Sequence, residues 1–493
     1  MSDAVLTASP APSTRERNRW LVLAIVCLAQ FMVILDATIV NIALPTVQRD
    51  LHFSTSSLQW VVNSYTLFFG GFLLLGGRAA DLFGRRRLFL AGVVAFTAAS
   101  VLDGLAPSAN VLIAARALQG LGAALVSPAA LSIVTTTFAE GRDRTRAMGV
   151  WATIAVGGGA MGMLLGGILT EYVSWRWIFF VNVPVGIATV LLAVRIVPES
   201  RVHGRRGFDL AGAVSITGGL VVLVYGIVKA QEYGWASTRT IGLLSIAAAL
   251  IAAFIAVELR STQPLVRLDI LRTRSLAAGN AVMGVVAGGM FAIFFFATLY
   301  VQGVLHLSPV QAGAGFLPMT AAIIAASAVS QPLIARIGVR AVALIGMPTA
   351  AAGLVLLSRA PVDGTYLANV LPGILVIGFG LGFTFVPMTL IATTNIAADD
   401  AGLASGLLNT SQQVGGALGL AILSTIAANR TTSSLATAPR DAAHALVSGY
   451  DAGFLAGAGL IALGVVVATG LLRNRDLTAI DAQPAPALQM EEA

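Results

Sequence analysis

The sequence has few charged residues, one cysteine and four histidines, and each of these shortages excludes a class of protein. Charged residues make up 11% of the 493 positions against 57% hydrophobic ones, and the mean hydropathy of +0.86 lies far above that of water-soluble domains. Cys27 stands alone, which excludes a disulfide framework and a thiolate metal site. The histidines are scattered over predicted loops, so the sequence predicts no metal site, no cofactor and no catalytic cluster.

Long hydrophobic runs fill almost the whole chain instead. Each has about 20 residues, enough to cross roughly 30 Å of hydrocarbon as a helix, and each is continuously apolar, whereas barrel strands alternate. We number fourteen runs as spans 1 to 14: 20–44, 57–76, 88–106, 110–135, 148–170, 177–197, 210–229, 240–259, 277–303, 310–335, 341–358, 366–393, 404–427 and 450–472. The sequence therefore predicts an all-α polytopic membrane protein with 14 transmembrane helices.

The positions of the basic residues indicate the orientation of the chain. Arginines cluster in the polar head before span 1, after span 2 at Arg85, Arg86 and Arg87, and again after spans 4 and 6. Because positive residues favour the cytoplasmic side, both termini are expected in the cytoplasm and the protein in the cell inner (plasma) membrane. The net charge of +7 then needs no nucleic acid as a partner, since anionic lipid at the inner surface attracts these residues.

The chain also repeats part of itself. Spans 5 and 13 share six small or hydroxyl residues at identical spacing, beginning with Gly149 and Thr153 in one copy and with Gly406 and Thr410 257 residues later. The loops after spans 2 and 10 match more faintly. Both matches relate a span to the one eight places later, so two spans lie between equal halves. We expect disordered cytoplasmic tails at both ends, and the predicted divisions are a tail 1–19, an N-terminal six-helix bundle 20–200, a two-helix linker 201–262, a C-terminal six-helix bundle 263–473 and a tail 474–493.

The loop GRAADLFGRRR after span 2 has the composition of a conformational latch. Gly77 can end a helix and Gly84 can make a tight turn, while Asp81 can pair with an arginine such as Arg85 or Arg86. Such a group can hold two helices in one state and release them in another. A short basic inner loop with no switching role is the alternative.

Two charges lie deep inside spans. Asp36 is eight residues from the outer end of span 1 and Arg116 is six residues from the outer end of span 4, depths of roughly 12 Å and 9 Å at about 1.5 Å per residue. Hydrocarbon penalises an unpaired charge, so we expect the two to pair directly or through water. We expect no other acid or base as deep in any span. Asp36 is the predicted proton carrier, with Arg116 as its partner.

Glycines and polar side chains mark other spans. Span 5 is rich in glycine, which favours either tight packing or a deformable seam between the halves; the predicted seam residues are Gly149, Gly158, Gly162, Gly166 and Gly167. The side chains predicted to line a substrate cavity are Asn41, Gln59, Asn63, Gln119, Tyr300, Asn409 and Gln413. The aromatic residues around Tyr300 can equally face lipid.

These motifs together resemble the major facilitator superfamily, and within it the fourteen-span drug:proton antiporters. The resemblance lies in the loop signature around Asp81, in the span-4 residues around Arg116, and in LDATIVNIALP, residues 35–45 of span 1. It covers nearly all of residues 20–472 and implies two six-helix bundles plus two extra central helices. The glycine spacing of span 5 fits the antiporter signature, but Met163 stands where that signature has proline.

The resemblance implies a secondary active exporter, with no enzymatic activity, of small amphipathic drugs or antibiotics, driven by proton antiport with alternating access. The expected partners are the lipid bilayer, the small substrate and protons, and a monomer is expected. A symporter or facilitator for a metabolite or nutrient is the alternative, and Met163 is its modest support. A polytopic enzyme or receptor would need a catalytic cluster or a long soluble loop, and ATP as the energy source would need a phosphate-binding glycine loop followed by lysine; the sequence shows none of these.

Overall fold

The structure is a bundle of long helices. This computed structural model describes residues 14–138, 141–200, 209–261, 264, 266, 268–393, 396, 401–437 and 441–472, and within them it contains no strand. Thirteen helical segments of this part of the chain are long and apolar enough to cross a membrane. The remaining predicted span, span 13, lies in the helix Ala401–Thr437, whose amide side chains Asn409, Gln412 and Gln413 reduce its apolar character. The predicted all-α polytopic membrane fold is confirmed.

We number the long helices in chain order so that each carries the number of its span. They are α1 Thr14–Asp50, α2 Trp60–Phe83, α3 Arg85–Leu105, α4 Ala109–Thr137, α5 Arg142–Tyr172, α6 Asn182–Ile196, α7 Leu210–Tyr233, α8 Thr238–Arg260, α9 Arg274–Gly303, α10 Leu317–Ile337, α11 Val339–Leu357, α12 Leu371–Thr393, α13 Ala401–Thr437 and α14 Ala442–Leu471. Short helical segments precede five of them: Thr55–Leu58, Trp177–Phe180, Leu268–Arg272, Pro309–Gly315 and Tyr366–Val370. Helix α1 begins at Thr14, inside the predicted tail 1–19, and the predicted tail 474–493 lies outside the described residues.

The helix ends follow from local chemistry. Gly84 and Gly338 have φ angles of 107° and 86°, a left-handed conformation that favours glycine, and each separates two helices by a single residue. Ser308 and Gln311 form a reciprocal capping box before α10. Asp441 caps α14 by accepting a hydrogen bond from a backbone N–H of its first turn. Short connections of this kind force successive helices to run antiparallel.

The alternating helices give the bundle two ends. We name the end at which α1 begins and α14 ends the terminal end, and the opposite one the distal end. The loops after α2, α4 and α6 therefore lie at the terminal end, and the loops after α1, α3 and α5 lie at the distal end. The arginine clusters before span 1, after span 2 and after span 4 belong to the terminal end.

The first six and the last six helices pack in the same pattern. Helix α1 contacts α4, α5 and α6, and α9 contacts α12, α13 and α14; α2 and α3 both contact α4 just as α10 and α11 both contact α12. The terminal-end loops agree in detail. Arg86 donates to the carbonyl of Val197 at the end of α6, and Arg340 donates to the carbonyl of Thr469 at the end of α14. The internal repeat is thus visible both in the packing and in single hydrogen bonds.

The two halves meet at α1 with α9, at α2 with α13, and at α5 with Pro309–Gly315. At the distal side, Gln302 Nε2 donates to the Ile42 carbonyl at 2.8 Å, and the Val310 N–H donates to Glu171 Oε2 at 2.9 Å. Helices α7 and α8 pack against each other, and α7 also contacts both α2 and α13. The inserted pair therefore lies on the outside of one seam between the halves.

Candidate functional site

The first half contains a buried ion pair. Asp36 on α1 is 0% exposed and Arg116 on α4 is 1% exposed, and Arg116 Nη1 donates to Asp36 Oδ2 at 2.6 Å. Taking either charge out of water alone costs several kcal/mol, so each is tolerated here because the other is present. The two charges that the sequence places at similar depth are in direct contact.

Helices α4 and α6 complete the hydrogen bonding of the Asp36 carboxylate. Its Oδ1 accepts from Gln119 Nε2 at 2.7 Å and from Asn182 Nδ2 at 2.8 Å, and Gln119 also donates to Ser100 Oγ at 2.8 Å. Three helices, α1, α4 and α6, therefore meet at this carboxylate, and α3 joins them through Ser100. The sequence analysis missed Asn182 and Ser100. The available signal for Asn182 was a lone amide within the apolar stretch WRWIFFVNVPVG.

Contacts from α2, from Gln119 on the same helix and from the short helix before α6 also hold Arg116 in place. Its Nε donates to the Val61 carbonyl at 3.1 Å, and its Nη1 donates to Gln119 Oε1. The guanidinium carbon lies 4.3 Å from the centroid of the Tyr65 ring and 5.7 Å from that of Phe179. Such cation–π contacts gain strength away from water. The arginine is therefore held by a carbonyl, an amide, a carboxylate and two aromatic faces.

A second acid, which the sequence analysis did not single out, is buried in the same region near a helix end. Asp103 on α3 is 0% exposed and interacts electrostatically with both Arg116 and Asp36. Within the described part of the chain, neither of its carboxyl oxygens has a hydrogen-bond partner. Its place two residues before the end of α3 suggests a hydrated carboxyl, but Arg176 folds over this helix end and donates to the Gly104 carbonyl at 3.0 Å.

The glycines of α5 bring its backbone against α1 beside Asp36. The predicted seam residues that face α1 are Gly158, Gly162 and Gly166. A Cβ atom on Gly162 would lie 2.8 Å from the Leu35 carbonyl oxygen, and one on Gly166 would lie 2.7 Å from that of Ile39. Real Cβ atoms do not approach backbone oxygen so closely, so α5 can take this position only without side chains there.

The distal part of α5 also contacts the second half. A Cβ atom on Gly167 would lie 2.5 Å from the Pro309 carbonyl oxygen, and the Met163 backbone lies directly against Gly313. Helix α5 runs without a break from Arg142 to Tyr172, as expected for methionine in place of proline. Gly149, near the terminal end, would place a Cβ in open space. One helix thus contacts Asp36's helix on one side and the second half on the other.

The predicted latch residues all lie at the terminal end of the first half. Asp81 accepts from Arg85 Nη2 at 3.1 Å, and the Arg86 N–H donates to Glu199 Oε1 at 3.2 Å. Gly84 lies beside the Glu199 carboxylate. A Cβ atom placed on Gly77 would lie 3.5 Å from the Cβ of Pro128 on α4. The loop is therefore tied to α4 and to the segment after α6. Its switching role stays a prediction.

The predicted cavity residues make separate local contacts. In the first half, Gln119 belongs to the Asp36 network, Asn63 donates to Gln59 on its own helix at 3.4 Å, and Asn41 donates to carbonyls of its own α1. In the second half, Tyr300 donates to a loop carbonyl at 2.6 Å, whereas Asn409 is exposed. Gln413 packs against Gly70 in the α2–α13 seam.

A cavity of 1080 Å³ opens at the distal end between α2, α4, α7 and α13. Its walls include Trp60, Asn110, Tyr225, Lys229 and Glu232. The rings of Trp60 and Tyr225 lie 6.3 Å apart, and Lys229, the single lysine of the chain, pairs with Glu232. Nothing in the sequence pattern indicated this cavity, because its walls come from four helices and no motif links them.

Comparison with known proteins agrees with this architecture. The model of the Major Facilitator Superfamily matches residues 26–420. The puromycin resistance protein pur8 of Streptomyces alboniger is 41% identical over 96% of this chain and 95% of its own, and the cephamycin export protein CmcT of Amycolatopsis lactamdurans is 40% identical over 91% and 92%. The multidrug resistance protein Stp of Mycobacterium tuberculosis is 37% identical over 84% of this chain and 76% of its own.

Solved structures share the fold at low sequence identity. A bacterial homologue of the human lysosomal transporter Spinster, in an inward-facing and unoccupied conformation, superposes with a TM-score of 0.67 at 15% identity, covering 96% of this chain and all of its own. A peptide transporter of the POT family reaches the same TM-score at 16% identity, covering 91% of this chain and 96% of its own. These two comparisons show the fold alone.

Proposed function

The chain belongs to the major facilitator superfamily, a family of multi-pass membrane transporters rather than enzymes, and on this premise we propose that it exports small amphipathic compounds, antibiotics among them, in exchange for protons. The names of its relatives support efflux of this kind: they are resistance, multidrug resistance and export proteins. We further propose that it lies in the plasma membrane with both termini in the cytoplasm, so that the distal end faces outward. The arginine clusters at the terminal end support this orientation.

The buried pair of Asp36 and Arg116 is the observation that carries the proton step. The carboxylate is held by an arginine and two amides, all of them on helices other than its own. Any movement between α1, α4 and α6 changes these bonds and with them the balance between the charged and the protonated carboxyl. Proton binding and helix rearrangement are therefore linked, as antiport requires.

The glycine contacts supply a route from this site to the interface between the halves. Helix α5 lies on the carbonyls of Leu35 and Ile39, which flank Asp36, and its distal part lies on Pro309 and Gly313 of the second half. A change in the relative position of the halves at this contact therefore acts directly on α5, the helix that packs beside Asp36. We therefore propose that α5 couples the state of Asp36 to opening and closing between the halves.

Transport into everted membrane vesicles tests this function. Respiration makes the lumen of such vesicles acidic, so that protons tend to flow out. The vesicles should then accumulate puromycin, or another antibiotic for which a relative is named, and a protonophore should abolish the uptake. The Asp36→Asn variant should lose this uptake, whereas Asp143→Asn, a partly exposed acid at the terminal end, should keep it. Full uptake by Asp36→Asn would contradict the proton role.

The same vesicles separate export from import. Substrate that moves out of everted vesicles together with protons would identify a symporter, and movement that ignores the gradient would identify a facilitator. Either result would overturn antiport while leaving the family assignment intact. A panel of chemically different antibiotics and dyes then shows whether the exporter serves one compound or many.

A further inference from the structure

We propose that Asp103 is a second proton-binding site, which shares Arg116 with Asp36. The inference rests on the proposed proton exchange and names a second residue for it. Three observations carry it: the complete burial of Asp103, its two unpartnered carboxyl oxygens, and its electrostatic interaction with an arginine already paired to another acid.

Burial without hydrogen bonds decides the form in which Asp103 is stable. A carboxylate with neither water nor a donor loses several kcal/mol of solvation, whereas a neutral carboxylic acid loses much less. Asp36 on α1, by contrast, is held as a carboxylate by Arg116, Gln119 and Asn182. The two acids therefore favour opposite forms: Asp36 the charged one and Asp103 the protonated one.

The charged and titratable groups around Asp103 come from four neighbouring elements. Arg116 faces it from α4 and Asp36 from α1, while Tyr65 on α2 lies against the same arginine. Arg176, before α6, is engaged with backbone carbonyls at the end of α3. Arg116 is thus the cation that both acids share, and its bonds to Val61, Asp36 and Gln119 use Nε and Nη1 but not Nη2.

A proton can move within this group without creating an uncompensated charge. In the arrangement described here, Asp36 is the carboxylate paired with Arg116 and Asp103 is the carboxylic acid. When a proton leaves Asp103 and binds Asp36, one O–H bond breaks and another forms. Arg116 then exchanges its ionic partner from Asp36 to Asp103. The three side chains have no net charge before or after, so the low-dielectric interior does not oppose the transfer.

The order of these groups along the bundle suits inward proton flow. Asp103 lies two residues from the distal end of α3. Ser100, three residues deeper on the same helix, accepts from Gln119 and Asn182, and both of these amides also donate to Asp36. With the distal end outside, a proton reaches Asp103 first and Asp36 second. Arg176 covers the helix end nearest to Asp103 in this conformation, so reloading from outside requires its movement.

Infrared spectroscopy of the purified full chain in lipid tests the protonation states directly. Aspartate labelled with ¹³C distinguishes the carbonyl band of protonated aspartic acid from glutamic acid, and an Asp451→Asn background removes the half-buried acid on α14. At neutral pH the background protein should show the band and Asp103→Asn should lose it. Asp36→Asn should lose it as well, because Arg116 then pairs with the Asp103 carboxylate. A band that survives in either variant would overturn the proposal.

Thermal unfolding gives a second, independent reading. Asparagine has the shape and neutrality of the protonated acid, so Asp103→Asn should unfold at the same temperature as the wild type at neutral pH. A clearly lower unfolding temperature would mean that Asp103 is charged in the folded protein, which would contradict the inference even if the variant were inactive.

Transport separates a failure of this inference from a failure of the proposed function. Asp103→Asn should lose uphill, proton-driven export of puromycin but keep exchange of labelled for unlabelled puromycin, which needs no net proton movement. If wild-type export proves independent of protons, the proposed function fails and the infrared result still stands. If export is proton-driven and Asp103→Asn exports at the wild-type rate, only the second site fails.

Discussion

The two halves of the molecule share a packing pattern and differ in the chemistry at their centres. In the first half, α1 and α4 carry Asp36 and Arg116, whereas their counterparts α9 and α12 carry no charged residue beyond Arg274 at the first position of α9. Helix α9 has buried phenylalanines instead. Phe295 and Phe296 lie edge to face with ring centroids 5.4 Å apart, and Phe296 packs against α14.

The difference shows that this arrangement of six helices needs no buried charge. The second half makes the same set of helix contacts with apolar side chains, and replacing a buried ion pair by apolar residues is often neutral or stabilising in other proteins. The charged group of the first half is therefore retained for a reason other than packing. This contrast supports the proposal above that proton exchange takes place in the first half.

Removing Arg116 from the first half should have the largest effect on stability and export. Arg116→Gln leaves the Asp36 carboxylate without its cation, and breaking a buried pair in this way costs about 3–5 kcal/mol. We expect a large fall in unfolding temperature and no proton-driven export. The double variant Asp36→Asn with Arg116→Gln, which makes this centre neutral like that of the second half, should regain most of the stability and none of the export.

An exposed arginine of the second half is the matched control for this measurement. Arg359 lies after α11 at the distal end, and Arg359→Gln should change neither the unfolding temperature nor export. A double variant as unstable as Arg116→Gln would show that the charges are needed for folding. This result would contradict the inference, drawn from the second half, that the six-helix arrangement needs no buried charge.

Crowding the glycine seam should have the next largest effect. Gly162→Ala places a methyl group against the Leu35 carbonyl and costs about 1–3 kcal/mol in this conformation, enough to shift a two-state equilibrium by roughly 5- to 150-fold. Export should slow accordingly and its pH dependence should shift, because the methyl group displaces the backbone beside Asp36. Export rates measured across a pH series give both readings.

Two other glycines serve as controls. Gly149→Ala enters open space and should change nothing. Gly419 is the counterpart of Gly162 in the second half, and a Cβ there would crowd the Gly288 backbone. Gly419→Ala should slow export without shifting its pH dependence, because no acid lies on α9. An equal pH shift in both variants would refute the link between α5 and Asp36.

The terminal-end loops should show a smaller effect that is similar in both halves. Arg86 and Arg340 each donate to a carbonyl at the end of the sixth helix of their half, at 3.3 and 3.1 Å. Replacing either by alanine removes a hydrogen bond that contributes about 1 kcal/mol. Thermal unfolding should place the two variants close together. A much larger loss of export for Arg86→Ala would indicate a latch function beyond the shared structural contact.

The smallest effect is expected at the start of α14. Asp441 caps this helix. Hydrogen bonds from the side chain and the backbone N–H of His444 to its carboxylate lower the pKa of Asp441 below its ordinary 3.8. Its stabilising contribution is therefore present above that value and is lost as the pH falls through the lowered pKa. Asp441→Asn should unfold slightly earlier than wild type at neutral pH, and the difference should vanish in acid.

Most of the fold could be predicted from the sequence because membrane spans are long and continuously apolar. The internal match of span 5 to span 13 also indicated the repeat that the helix contacts display. Span lengths were underestimated where polar residues continue a helix, as in α13, which extends to Thr437 rather than stopping near residue 427. Hydropathy indicates which residues lie in the membrane, whereas a helix can continue beyond the membrane into polar residues. The helix α13 is therefore longer than the span predicted from hydropathy.

The charged centre could be predicted only in part. Asp36 and Arg116 were found because each lies alone in an apolar run, and a depth estimate was enough to pair them. Asp103 was missed because exposure at a helix end is decided by what covers it, and Arg176 comes from a loop some 70 residues further along the chain. Asn182 and Ser100 were missed for the related reason that a single amide or hydroxyl in a span is common.

The lone lysine has a practical consequence for topology. Lys229 lies in the wall of the distal cavity with its side chain 32% exposed, and no other residue of the chain offers a side-chain amine. An amine-reactive dye that cannot cross lipid bilayers should therefore mark one side chain and reach it from one face of the membrane only. Labelling of Lys229 should therefore differ between intact cells and everted vesicles, so this side chain reports which way the protein faces.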